Sequence, residues 1–349
     1  MKKVDISEIQ INQVDDKFKA SLKSRIIVAL ILIAIMLPCA ILGNWPYFIA
    51  ISVAGMISIW EVCASTGKKY GWWVIAATYI ITACYIYWPM FKEIFGLEVG
   101  GSVISISEFF ESEYFNTIEI STLGVAGSIF VYFAIAIFDK NFSWSDVAHF
   151  STFTLLIGLG IQSLFYLRYS PFSYFTNSEI CSDTCMNPDI VSTPLFKYLI
   201  SFLFTMYGLV GACLNDTFAY FGGVFFGKHK LNERISPKKT WEGFIIGIVL
   251  TAITMSAIGL ILAATGYPIL PFLNLKNWYW IVILSILIPL IGDLGDLSLS
   301  LIKRQCGIKD YGNILKGHGG ILDRGDSIFF VAIICAIIVR CIVGFHLYI

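Results

Sequence analysis

Between Gly292 and Asp326 the chain reads GDLGDLSLSLIKRQCGIKDYGNILKGHGGILDRGD, gathering carboxylates, bases and glycines that could hold a metal ion and a phosphate together. Asp293, Asp296, Ser300 and Lys303 are spaced i, i+3, i+7, i+10, which places two carboxylates, a hydroxyl and an ammonium on one stripe of a helix. Asp323 and Asp326 repeat the i, i+3 carboxylate spacing at the start of the last apolar run. They follow His318-Gly319-Gly320, where glycines permit close backbone approach to an anion. Clustered Asp without a Cys or His set suits a hard, oxygen-seeking cation, Mg²⁺ before Zn²⁺, and Mg²⁺ is commonly held by one or two carboxylates plus substrate phosphates. Lys303, Arg304, Lys309, Lys316 and Arg324 would neutralise further phosphate oxygens. These are the groups needed for phosphoryl or nucleotidyl transfer, in which a protein positions an in-line attack and spreads the developing charge over metal and bases. An ion-pair network inside the membrane is the plainer use of such residues, but too many acids and bases converge for packing alone.

Two further clusters precede this one. In LNDTFAYFGG (Leu214 to Gly223), helical spacing puts Asn215, Asp216, Ala219 and Tyr220 on one side, where a neighbouring helix or a polar ligand could approach. Asn215 could serve as glue between helices, whereas a lone buried carboxylate at Asp216 needs a cation or a base. The segment GKHKLNERISPKKTWEG (Gly227 to Gly243) reads as a loop. Lys238 and Lys239 follow Ser236-Pro237, and Thr240 and Glu242 lead into the next helix, so amides at a helix start and two ammonium groups could converge on phosphate. His229 reads as a solvated loop residue.

The elements that must position these groups are membrane helices. Of 349 residues, 57% are hydrophobic and 14% charged, against roughly 25% charged in a soluble domain. A formal net charge of zero argues against nucleic acid as a partner. The nine Cys are scattered apart from Cys181 and Cys185, so the chain encodes neither a disulfide scaffold nor a zinc ribbon. Those two, in CSDTC, could close a small disulfide or remain thiols. No Walker A, HExxH or GxSxG sequence is present, which disfavours a P-loop ATPase, a zincin and a serine hydrolase.

Apolar runs able to cross about 30 Å of hydrocarbon occur near 26–43, 45–63, 72–91, 120–138, 147–167, 195–222, 243–266, 278–301 and 328–348. The fold class predicted is an all-α polytopic bundle of about nine transmembrane helices. With the N-terminus in the cytosol, nineteen of the twenty-four Lys and Arg residues fall on the inner side, as the positive-inside rule requires. Three regions follow: a cytosolic or interfacial segment over 1–25, an N-terminal transmembrane region over 26–194, and a catalytic transmembrane region over 195–349. The N-terminal region reads as functionally quiet, its Trp45, Trp60, Trp72, Trp73 and Trp88 forming an interfacial belt.

Ser300 to Asp326 closely resembles the signature of the phosphatidate cytidylyltransferases, or CDP-diacylglycerol synthases. In register are Ser300, Lys303, Arg304, Lys309, Asp310, Gly312, His318, Gly319, Gly320, Asp323, Arg324 and Asp326. The NDTFAY and SPKKTWEG segments are also similar to family sequences, so the resemblance is specific over roughly residues 200–335. Lys316 stands where the family usually has Pro or Gly, and Gly325 where it usually has an apolar residue.

The resemblance implies an integral membrane enzyme that joins CTP and phosphatidate, with Mg²⁺, to give CDP-diacylglycerol and pyrophosphate; a second, monovalent cation is left open. On that reading Asp293, Asp296, Asp323 and Asp326 hold metal, and Lys303, Arg304, Lys309 and Arg324 bind phosphates. Ser236, Lys238 and Lys239 serve the nucleotide or lipid head group, and His318 contacts phosphate, since an ionised phosphate nucleophile needs no strong base. Asn215, Asp216, Ser300, Gly319 and Gly320 complete the substrate site. The family also suggests a homodimer. A chain with no long hydrophilic tail or retention signal suits a bacterial cytoplasmic membrane with the site facing the cytosol, and the endoplasmic reticulum membrane is the alternative. The rival activities are a CTP-dependent lipid kinase and a cation pathway lined by Asp216, Asp293 and Asp323.

Overall fold

The computed structural model describes residues 16–94, 122–169, 194–315 and 319–344, most of them helical. The helices are α1 (Asp16–Leu42), α2 (Asn44–Ser65), α3 (Trp72–Ile94), α4 (Thr122–Phe138), α5 (Trp144–Tyr169) and α6 (Pro194–Phe226). A hairpin of β1 (Lys230–Asn232) and β2 (Ser236–Thr240) follows, then α7 (Trp241–Ala264), α8 (Trp278–Gln305) and α9 (Leu322–Gly344). Among the described residues six helices, α2 and α5 to α9, are long and apolar enough to cross a membrane. The apolar parts of α1, α3 and α4 are shorter: Leu30–Leu42, Trp72–Trp88 and Gly124–Phe138. Among the described residues the chain is a membrane helix bundle with six long apolar helices, and three more of the predicted spans fall on α1, α3 and α4 with shorter described apolar stretches.

Two boundaries differ from expectation for physical reasons. The last span is predicted from residue 328, yet α9 begins at Leu322, because partners from elsewhere in the chain satisfy the polar first turn described below. The predicted loop 227–243 contains the β1–β2 hairpin, with Lys230 opposite Thr240 and Asn232 opposite Ser236. The Asn232 side chain closes its turn by accepting from the Arg234 and Ile235 amides, and Glu242 accepts from the Lys228 and His229 amides. Cys181 and Cys185, His318 and the N-terminal fifteen residues lie outside the described residues.

Helix α5 is the centre of the bundle, packing on α2, α3, α4, α6 and α9. Gly158 and Gly160, two residues apart, point to nearly opposite faces. A Cβ at Gly158 would lie 2.7 Å from Tyr85 of α3, and one at Gly160 2.6 Å from Phe329 of α9, so α5 lets a helix approach closely on either side. The α6–α7 pair uses small residues in the same way: a Cβ on Gly243 or Gly247 would collide with Ala219 or Gly223. Without a hydrophobic driving force between helices in lipid, this close packing is what joins them. Arg168 of α5 is buried and donates to the Ala40 and Ile41 carbonyls, satisfying the C-terminal end of α1.

The connections after α2, α4, α6 and α8 meet at one end of the bundle. Lys68 reaches Ser143 and Asp146, Arg304 donates to the Ile235 carbonyl, and the Phe153 and Tyr311 rings touch at 5.5 Å. That end carries the polar clusters.

Candidate active site

The predicted stripe on α8 exists, and its four residues divide between two knots. In the first, Asp293 is 1% exposed and accepts from Asn215 Nδ2 of α6 at 2.9 Å and from Lys239 Nζ at 2.6 Å. Lys239 Nζ also lies 2.9 Å from Asp296, which accepts from Ser300 at 3.3 Å. Side chains alternate along a strand, so β2 turns Lys239 inward and leaves Lys238 exposed. Burial alone would lower the Lys239 pKa, but the Asp296 and Asp293 carboxylates outweigh it and raise the value above that of an ordinary lysine. Lys239 is therefore charged throughout the neutral range.

The second knot joins α8 to α9. Lys303 Nζ donates to Asp323 at 3.0 Å and lies 4.0 Å from Asp326, both carboxylates being buried. The other Asp323 oxygen accepts from the Tyr311 and Gly320 amides, each at 2.8 Å. Asp323 thus spends three of about four acceptor positions inside the protein. Gly319 adopts φ +86°, in the left-handed region open to glycine, and this turns the chain so that the Gly320 amide faces Asp323. Tyr311 stacks beside the Lys303 ammonium and donates to the Leu299 carbonyl; burial raises its phenol pKa, so it stays protonated.

A cavity of about 730 Å³ opens between these knots and the N-terminal helices. One end is lined by Asp216, Asp296, Asp310, Asp323, Asp326, Lys303 and Arg324. The other end is apolar, formed by Leu32, Ile33, Met36 and Leu37 of α1, Ile51 of α2, and Met206 and Leu209 of α6. With a cation held among these acids, such a shape would accept a molecule with an anionic head and a hydrocarbon body. Asp296 and Asp326 are in side-chain contact, and Asp216 lies within electrostatic range of Asp296. Two carboxylates in contact need a proton or a cation between them. Among the described residues no three His, Cys or acidic side chains form a closed metal cage. One or two carboxylates facing a cavity, with substrate phosphate and water completing the shell, is the arrangement that Mg²⁺ accepts.

Other predicted residues are placed differently. Asn215 and Ala219 face Gly247 of α7, whereas Asp216 lines the cavity and Tyr220 is exposed. Adjacent positions on a helix are about 100° apart, so these four residues occupy two stripes and not the single side expected. Asp293 does not line the cavity but anchors Lys239. Arg304 spends its guanidinium on the Ile235 and Ile308 carbonyls, tying the hairpin to the end of α8. Lys309 is exposed on the loop, and Ser236 is half-buried at the start of β2.

Sequence reasoning missed Glu61. This α2 residue is 1% exposed, and its carboxylate accepts from the Ile321 amide at 2.9 Å and the Leu322 amide at 2.8 Å, directly before Asp323. The N-terminal region thus supplies a structural contact to the start of α9. The available signal was a single acid in the otherwise uncharged run 45–63.

Residues 23–342 match the cytidylyltransferase family. Over 194 residues the chain is 36% identical to a phosphatidate cytidylyltransferase of Rickettsia bellii, covering 54% of this chain and 70% of that protein. A Staphylococcus aureus protein of the same name is 28% identical over 312 residues, 89% of this chain and 96% of the relative. One from Bacillus subtilis is 37% identical over 158 residues, 45% of this chain and 54% of the relative.

Proposed function

The chain belongs to the cytidylyltransferase family, and on that premise we propose that it is a phosphatidate cytidylyltransferase converting CTP and phosphatidate to CDP-diacylglycerol and pyrophosphate. The observation that carries this reading is the two-ended cavity, with acids and bases at one end and the apolar surfaces of α1, α2 and α6 at the other. A phosphatidate would place its phosphate among Lys303, Arg324 and the carboxylates and its acyl chains along Leu32, Met36 and Leu209. Its phosphate oxygen attacks the α-phosphorus of CTP, a new P–O bond forms, and the bond to the β-phosphate breaks as pyrophosphate leaves. No proton must be taken from the nucleophile, so the residues need only bind and orient.

Asp296 and Asp326, with Asp216 nearby, would hold Mg²⁺, which when bound supplies positive charge to the phosphates. Asp323, at the edge of the cavity, orders the loop and aims Lys303, and Asp293, one step behind the cavity, aims Lys239. Lys303 and Arg324 meet phosphate oxygens directly, and Lys239 keeps the carboxylates of α8 in register.

The same reading includes nine crossings with a cytosolic N-terminus, a site facing the cytosol, and a homodimer in a bacterial cytoplasmic membrane. The distribution of Lys and Arg supports the orientation, and the bacterial relatives support the membrane. The test is turnover by purified protein in detergent with phosphatidate and Mg²⁺, following pyrophosphate and lipid product with CTP and then ATP. Pyrophosphate and CDP-diacylglycerol in equal amounts are expected with CTP. Release of CDP with a phosphorylated alcohol would replace this reading with a lipid kinase, and no turnover with either nucleotide would overturn it.

A further inference from the structure

A buried carboxylate inside an apolar helix is costly unless it is paired, and Glu61 has no cation as a direct partner among the described residues. Its partners are the Ile321 and Leu322 amides. These belong to the group of N–H donors that a helix start leaves unsatisfied, and the positive end of the α9 dipole faces the carboxylate. The bond joins residues about 260 positions apart in sequence. The loop is shaped to admit it: a Cβ on Gly312 or on Gly320 would collide with the Glu61 carboxylate. On the opposite side Asp323 pulls in the Tyr311 and Gly320 amides and holds Lys303. The loop before α9 is therefore gripped by one carboxylate from within and by a second from the other half of the molecule.

We propose that Glu61 is a positioning residue for the transfer reaction: it clamps the first turn of α9 so that Asp323 holds Lys303 in place, Arg324 meets the phosphates and Asp326 faces the metal at the cavity. Gly320 thereby gains a role distinct from phosphate contact, since its amide is committed to Asp323 and its missing side chain makes room for Glu61. The inference rests on the proposed cytidylyl transfer for its kinetic consequence, while the clamp itself is measurable without turnover.

The experiment compares wild type, Glu61→Gln and Gly320→Ala in detergent by amide hydrogen exchange over residues 319–324 and by steady-state kinetics with CTP, phosphatidate and Mg²⁺. Glu61→Gln should speed exchange of the Ile321 and Leu322 amides and lower kcat at least tenfold, with KM for CTP changed less than threefold and the thermal midpoint little changed. Gly320→Ala, which displaces the carboxylate without removing it, should do the same. The double variant should be no worse than the worse single one, because both break one contact. Unchanged exchange in Glu61→Gln, or a kcat within twofold of wild type, would overturn the proposal. If Glu61→Gln does not fold, Gly320→Ala decides by the same two readouts. A wild-type protein with normal protection but no cytidylyl transfer would refute the activity and leave the clamp to be judged by exchange alone.

Discussion

Two clusters of charge share one end of this bundle, and they are built on opposite plans. Around Asp146 a single carboxylate accepts from Lys68 Nζ at 2.5 Å, the Ser143 amide at 2.6 Å, the Ser143 hydroxyl at 2.7 Å and Tyr70 at 3.0 Å. Four donors from within the protein meet this one carboxylate, and the acid is matched by one base. Around α8 and α9, five carboxylates (Asp216, Asp293, Asp296, Asp323 and Asp326) face Lys239, Lys303 and Arg324, and all but Asp293 border a cavity that Asp310 also lines. A saturated knot stabilises loops. An acid-rich one, left open to a space with an apolar far end, has capacity to spare for a cation and a phosphate.

Substitutions in the two clusters should separate stability from turnover. Lys303→Met has the largest expected effect, since it leaves Asp323 and Asp326 buried without their shared cation. We expect loss of pyrophosphate release and a fall in stability of about 3–5 kcal/mol, read from thermal unfolding in detergent. Asp323→Asn should abolish turnover in a protein that still elutes as a folded species. Wild-type-like activity there would remove Asp323 from the site altogether. Lys239→Met and Lys238→Met sharpen the comparison within one strand. The first should lower kcat by about 10²-fold, because it leaves Asp293 and Asp296 unpaired, and the second should stay within about twofold, as befits an exposed side chain. Asp146→Asn gives the smallest effect on chemistry: stability should drop by about 1–3 kcal/mol, measured as a lower thermal midpoint, with kcat unchanged.

Much of this was legible in the sequence, and for an identifiable reason. The spacing of Asp293, Asp296, Ser300 and Lys303 is local to one helix, so periodicity alone puts them on a stripe, and the structure shows them there. Apolar runs likewise mark helices because every backbone group in hydrocarbon must be satisfied within its own segment. Periodicity is weaker where neighbouring positions differ by 100°, which is why Asn215 and Asp216 were expected together and are found on different stripes. It says nothing of a hairpin whose turn depends on one Asn side chain, as in Asn232 to Ser236.

By itself, then, the sequence determined the class of protein, the helices, the chemistry of the acid and base cluster and the family to which its motifs point, because composition and short-range spacing carry all four. Only the tertiary structure decided which carboxylates face the cavity and which hold a neighbour in place. It alone put Lys239 inside and Lys238 outside, and it brought Glu61 of the second helix to the start of the ninth. Those outcomes depend on contacts between elements far apart in the chain, where burial and hydrogen-bond partners are assigned by packing and leave no periodic trace along the sequence.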